Sequence, residues 1–284
     1  MNGLLAGAHV SIAGGIHLAF ERGVRLDCRT IQVFLKNSNQ WKAKELSDVD
    51  RALFLEAQKR CSIGPVIAHD SYLINLASPD RQLRARSLAA FIGEMERAAF
   101  LGIPCLVMHP GAHMGAGTAA GIRRVVRGLN RALDRVGPPV KILLENTAGQ
   151  GTCLGFRFEH LAEIMERVDA PERVAVCFDT CHAHAAGYDI RSEEEYDRTF
   201  REFDRLVGIS RICVFHVNDS RNDLGRRVDR HTHIGQGMIG LEAFRLLVND
   251  RRFAHVPKII ETPKGTGIEE DLMNLSTLRS LAGL

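Results

Sequence analysis

Six short apolar runs punctuate this chain, and each stops on a residue able to bind a metal. Run 65–68 leads to His69, 106–108 to His109, 142–144 to Glu145, 175–178 to Asp179, 212–215 to His216, and 259–260 to Glu261. Successive end residues are 40, 36, 34, 37 and 45 positions apart. One parallel strand with its returning helix uses about that length in an eight-fold barrel of roughly 250 residues. The pattern therefore predicts an α/β chain forming a single (β/α)8 TIM barrel over residues 1–284. Parallel strands open their C-terminal ends onto one face, so residues far apart in sequence are expected to converge there on one metal site.

The segments between the runs read as helices. Ser78-Pro79-Asp80 offers a cap, a first-turn proline and an acidic residue at the positive end of the helix dipole. Leu83, Leu88, Phe91, Ile92, Met95 and Ala99 follow at helical spacing, and Gly102 supplies a left-handed stop. Arg123, Arg127, Arg131 and Arg135 recur every fourth position, which places a basic stripe on one helix face. That face is expected to be solvated, because an outer helix turns its polar side away from the barrel.

Composition adds exclusions. No Pro/Ser-rich linker or low-complexity tract divides the 284 residues. The start, Met1 to Gly7, lacks the basic and apolar regions of a leader, and no apolar run approaches the ~18 residues needed to cross a bilayer. Seven cysteines cannot all pair, and Cys105, Cys177, Cys181 and Cys213 fall on or beside expected core strands, as in a reduced cytoplasmic protein. Cys177 and Cys181 have no second pair at matching spacing and are read as structural, not as a zinc ribbon. The net charge of +3 permits nucleic acid as a partner without arguing for it.

Three more donors lie in loops near the expected mouth: His182, three residues after Asp179, and Asp229 with His231. Five histidines and four carboxylates are too many for one ion, and they divide into three sites if one carboxylate bridges. Three divalent ions against four carboxylates leave two positive charges, which suits one hydroxide and one phosphodiester.

At these residues the chain resembles the endonuclease IV family, the metal-dependent apurinic/apyrimidinic endonucleases of base-excision repair. The likeness runs from Gly7-Ala8-His9-Val10-Ser11 to Glu261-Thr262. It includes His69-Asp70-Ser71-Tyr72-Leu73-Ile74-Asn75-Leu76, His109-Pro110-Gly111 and Glu145-Asn146-Thr147-Ala148-Gly149-Gln150-Gly151. It continues through Asp179-Thr180-Cys181-His182, His216-Val217-Asn218-Asp219 and Val228-Asp229-Arg230-His231. The resemblance implies three divalent ions per chain, mainly zinc, with manganese as the alternative at the third position. His69, His109 and Glu145 resemble the first site; Glu145 as bridge with Asp179, His216 and Glu261 the second; His182, Asp229 and His231 the third. Glu145 and Glu261 then serve catalysis as metal ligands, and the nucleophile is a metal-bound hydroxide. The implied reaction is cleavage on the 5′ side of an abasic site in double-stranded DNA, leaving a 3′ hydroxyl and a 5′ deoxyribose phosphate, with trimming of blocked 3′ ends.

The same resemblance implies DNA contacts. Tyr72 and Leu73 match a wedge that enters the duplex, and Gln150 is a looser match for contact with the gap. Loop 36–41 matches a second wedge, except that Asn39 stands where well-known members carry arginine. Arg230, with Arg221, Arg226 and Arg227, flanks the third-site loop as a phosphate contact, whereas Trp41 reads equally as loop packing. His9 ends the first strand and is expected to orient a ligand or touch phosphate, while His113, His160, His184, His233 and His255 are not expected to bind metal. A cytoplasmic monomer with no membrane association is expected. The rival reading is a single-metal sugar isomerase or epimerase of the xylose-isomerase-like type, for which Glu145, Asp179, His216 and Glu261 suffice and the other five donors have no use. A binding module that has lost catalysis should have lost a ligand, and none is missing.

Overall fold

A computed structural model describes residues 3–284; Met1 and Asn2, where the expected absence of a leader begins, lie outside the described residues. The chain opens with β1 (Ala6–His9), α1 (Leu18–Arg25), β2 (Thr30–Phe34) and α2 (Asp48–Cys61). Then come β3 (Val66–His69), α3 (Arg81–Leu101), β4 (Cys105–Met108), α4 (Thr118–Arg135), β5 (Lys141–Glu145) and α5 (Phe158–Arg167). After β6 (Val174–Asp179), two helices intervene, α6 (Thr180–Ala186) and α7 (Glu193–Leu206), before β7 (Ile212–His216). A short ribbon, β8 (Asp219–Ser220) with β9 (His231–Thr232), precedes α8 (Leu241–Asn249), β10 (Lys258–Ile260) and α9 (Glu269–Leu281). Strands β1 to β7 and β10 close a barrel in the order β1-β10-β7-β6-β5-β4-β3-β2, every pair parallel. The expected eight-stranded TIM barrel is present.

Side chains alternate across a strand, so the residue two places before an inward-facing ligand also faces inward. Ile67, Val107, Leu143, Cys177, Val214 and Ile259 stand two places before His69, His109, Glu145, Asp179, His216 and Glu261. All six are buried in one cluster inside the barrel, joined by Cys105 and Ala175. This apolar plug forms the floor on which the polar mouth rests. A larger core, with Phe20, Phe54, Phe91, Phe158, Phe200 and Phe244, fills the space between sheet and helices. All seven cysteines are unpaired, and burial pushes the Cys105 thiol up to about 12.

Helix α3 departs from its sequence reading in two ways. Its cap is Asp80, not Ser78: the Asp80 carboxylate accepts from the Gln82 and Leu83 amides at 2.7 and 3.0 Å, while Ser78 Oγ accepts from the Asp80 amide. The carboxylate reaches two orphan donors of the first turn, which a hydroxyl two residues earlier cannot. The buried face also includes Glu94 beside Phe91 and Met95, whereas Leu83, Leu88 and Ile92 are half-buried. Glu94 is admitted because Lys36 Nζ, itself buried, lies 3.2 Å from its carboxylate. Gly102 closes the helix with φ 74°, as expected. The arginine stripe lies exposed on α4.

Replacing Asp80 by Ala should destabilise the protein by about 1 kcal/mol, the usual worth of a side-chain cap. Denaturant unfolding would read this as a lower midpoint at unchanged slope; an unmoved midpoint would mean the cap contributes nothing.

Candidate metal centre

The strand ends bring all nine expected donors to one mouth. His69, Glu145, Asp179 and His216 are the last residues of β3, β5, β6 and β7, and His109 and Glu261 directly follow β4 and β10. Register sets Asp179 beside His216 across the β6–β7 pair. His182 lies in the first turn of α6, and the β8–β9 ribbon carries Asp229 in its loop and His231 on its second strand. Ligand atoms lie within 4.8 Å of one another in each of three groups: His69, His109 and Glu145; Glu145, Asp179, His216 and Glu261; His182, Asp229 and His231.

Glu145 sits at the centre. One of its oxygens lies 3.1 Å from both His69 Nε2 and His109 Nε2; the other lies 3.0 Å from His216 Nδ1 and 3.1 Å from His182 Nδ1. Asp229 spans His182 Nε2 at 3.2 Å and His231 Nε2 at 3.4 Å.

Surrounding acceptors decide which ring nitrogen faces inward. A carbonyl only accepts, so His69 Nδ1 donates to Asp70 O at 2.8 Å and His231 Nδ1 to Glu261 O at 3.1 Å, leaving Nε2 of each as the ring nitrogen that faces the mouth. His231 Nε2 is buried with no hydrogen-bond partner. His216 is turned the other way. Its Nε2 meets the amide oxygen of Gln32 at 2.8 Å, and the Gln32 amide nitrogen donates to Glu261 at 2.6 Å. His9 also meets Glu261, at 3.3 Å, where it can orient that carboxylate.

Three polar residues beyond the donors were not singled out from sequence. Gln32 is one. Asn146 accepts from the Asp179 amide at 2.7 Å, and Asn218 donates to the Asp179 carboxylate at 2.7 Å while accepting from the Glu261 amide at 2.7 Å. A signal existed for each: a glutamine inside the apolar strand Thr30–Phe34, and asparagines one and two places past strand-end ligands.

Burial alone would raise the carboxylic acids here, but the imidazoles overcome it. His216 and His109 hold the Glu145 carboxyl well below the usual range. Glu261, half-buried beside His216, and Asp229, partly buried beside His182, are likewise lowered. In return, against its own burial, His69 is raised to about 10, chiefly by Glu145. Lowered carboxyls at Glu145, Glu261 and Asp229 thus face raised imidazoles at His69, His182 and His216, and divalent cations are the natural replacement for protons shared between such groups. Cys181 also lies near Asp179 and His231, but burial, reinforced by Asp179, pushes its thiol up to about 12 and keeps it neutral.

The expected DNA contacts ring this mouth. Tyr72 is 67 % exposed, its ring 5.3 Å from Phe34, and Leu73 follows it half-buried. Tyr72 lines a cleft of about 180 Å³ with His69, His109 and Thr147. Asn39 is exposed in a loop anchored from beneath by Lys36, whose Nζ donates to Gln40 O at 2.6 Å. The Gln150 side chain accepts from the Asp229 amide at 3.2 Å, so it also steadies a donor. Arg230 is exposed beside Asp229. Trp41 packs under the Arg86 guanidinium, 5.3 Å away, and Arg227 stacks on Phe156 at 4.7 Å. His160 is buried and accepts from the Gly155 amide, and His255 is exposed.

The family model of xylose isomerase-like TIM barrels matches residues 20–278. A protein named "Probable endonuclease 4" from Chloroflexus aggregans is 58 % identical over 276 residues, 97 % of this chain and 96 % of the relative. The chain belongs to the endonuclease IV family. The crystal structure of endonuclease IV from Thermus thermophilus superposes with a TM-score of 0.88 at 37 % identity, covering 98 % of each chain. A D-tagatose 3-epimerase-like protein, at 20 % identity and TM-score 0.72, shares the barrel alone.

Asn218→Ala would remove the donor to Asp179 Oδ2, whose other oxygen keeps the His182 amide, and would leave the Glu261 amide without its acceptor, at a cost of roughly 1–3 kcal/mol. Equilibrium unfolding checks this; a cost near zero would show that water replaces the amide.

Proposed function

We infer that this chain is a DNA-repair endonuclease that hydrolyses the phosphodiester bond 5′ to an abasic site in duplex DNA. It leaves a 3′ hydroxyl and a 5′ deoxyribose phosphate and trims blocked 3′ ends. The observation that carries the reading is Glu145, a buried carboxylate meeting four imidazoles in a family whose members are metal-dependent. The donor chemistry fits three divalent ions, mainly zinc, with manganese as the alternative at the third. Imidazole nitrogens and carboxylate oxygens form each group, and the orphaned His231 Nε2 points into the third. His69, His109 and Glu145 would hold the first ion, Glu145, Asp179, His216 and Glu261 the second, and His182, Asp229 and His231 the third. Bound there, such ions supply Lewis acidity at phosphate oxygens and a water acidic enough to lose its proton near neutral pH.

The chain's own residues account for binding and orientation. Glu145 and Glu261 act as ligands, and Gln32, Asn146 and Asn218 keep the surrounding groups in place. Tyr72 and Leu73 enter the duplex where a base is missing, since unstacking costs least there. Asn39, Gln150 and Arg230 are assigned to the DNA around the lesion. The Asp229 side chain is 43 % exposed and that of Glu145 1 %, so substrate meets the third group most directly. The whole chain is assigned to one catalytic domain, acting as a cytoplasmic monomer.

Purified protein should nick a duplex carrying one abasic analogue at a single position, and a chelator should abolish the cut. Glu145→Gln should eliminate cleavage, whereas Asp229→Asn should slow it while leaving some binding to abasic DNA. Cleavage by Glu145→Gln at the parental rate would overturn the bridging role. Elemental analysis of protein purified without chelator should find three divalent ions per chain, at least two of them zinc. One ion per chain together with isomerase activity on a free sugar would replace this reading with the single-metal one.

A further inference from the structure

The arginines of α4 do more than face solvent. Arg124, Arg127 and Arg131 of α4 meet Arg81 and Arg84 of α3 around a pocket of about 220 Å³. Leu76, Ala85 and Leu88 supply its apolar sides, and Gly128 lies at the same wall, where an added Cβ would come 3.2 Å from Leu76. Arg84 and Arg124 are partly pinned, Arg84 Nη1 to Ser78 O at 2.7 Å and Arg124 Nη1 to Ala77 O at 3.4 Å.

None of the five has a carboxylate within 4 Å among the described residues, whereas Arg135, on the same helix, has Glu96 at 3.6 Å. The nearby Asp80 carboxylate is engaged in capping α3. Burial lowers the Arg84 guanidinium, and the fields of Arg124, Arg127 and Arg81 lower it further. Like charges within a Debye length repel, and an anion among them turns that repulsion into attraction.

We propose that this pocket binds a phosphate group, supplied by the DNA backbone flanking the lesion. Guanidinium forks match phosphate oxygens two at a time, and the Leu76 and Leu88 side chains suit the apolar faces of deoxyribose. The pocket is joined to the mouth by a single loop. The loop between β3 and α3 carries Tyr72 and Leu73 near the mouth and Leu76 at the pocket, and Arg81 and Arg84 occupy the first turn of α3 that follows. A duplex whose damaged nucleotide enters the mouth extends its flank over the α3–α4 rim. The assignment of DNA as the source rests on the proposed function; the pocket's affinity for phosphate does not.

The test compares the parent holoenzyme with Arg127→Gln/Arg131→Gln and with Arg123→Gln/Arg135→Gln, which removes equal charge from α4 outside the pocket. Dissociation constants are measured across salt concentrations for abasic duplexes with short and long flanks, and pyrophosphate is titrated calorimetrically. The pocket variant should bind the long duplex about three- to tenfold more weakly, with the salt slope reduced by about 0.9 for each phosphate the variant no longer holds. The short duplex, and single-turnover cleavage at saturating DNA, should be unchanged. An equal loss in the control variant, or no loss in either with no pyrophosphate binding to the parent, would overturn the proposal. Pyrophosphate binding abolished in the pocket variant while DNA binding is untouched would overturn DNA as the source and leave a site for free phosphates. A parent that fails to cut abasic DNA yet shows the pocket-dependent slope would refute the proposed function alone.

Discussion

An ionised carboxylate beneath a barrel mouth is tolerated only where opposite charge surrounds it, and Glu145 is such a group. Four imidazoles contact its two oxygens, and they come from β3, the end of β4, β7 and α6. Removing partners from a buried charge costs several kcal/mol. The closed ring of strands, the inward turn of those four rings and the apolar plug beneath them are therefore one arrangement. Any change in barrel closure that moved a ring would leave this charge uncompensated.

Around that centre the polar groups form a hierarchy. Carbonyls of Asp70 and Glu261 set the rings of His69 and His231, Gln32 sets His216 and Glu261 together, and Asn218 ties β6 to the end of β10. Each satisfied contact takes rotational freedom from a donor, so the donors are preorganised rather than collected by a ligand. The more exposed Asp229 is steadied from outside by Gln150. The wedge loops are joined as well: Ser71 donates to the carbonyl of Ser38, so the Tyr72 and Asn39 segments share one support.

Much of the fold was legible because a parallel barrel repeats one unit. Burial on both sides makes each strand an apolar run, and the closed ring places every C-terminal end on one face, so six end residues announced both the barrel and its mouth. Helices were legible in existence and less so in detail. The α3 cap slipped from Ser78 to Asp80, and Glu94 occupied a position that periodicity reserves for apolar groups, since Lys36 neutralises it from another part of the chain. The supporting amides went unnoticed because a lone Gln or Asn carries no pattern; only its partners, up to 229 positions away for Gln32 and Glu261, give it meaning.

The sequence by itself determined the barrel and marked nine candidate donors, because strand alternation, unit length and donor type are local properties, and its motifs carried the resemblance to the family. It did not determine which ring nitrogen faces the mouth, that four imidazoles surround Glu145, or that a solvated arginine stripe meets two arginines of α3 around a pocket. Those are relations between segments separated by tens to hundreds of residues. Their energies depend on distance, burial and direction, and these exist only once the barrel has closed.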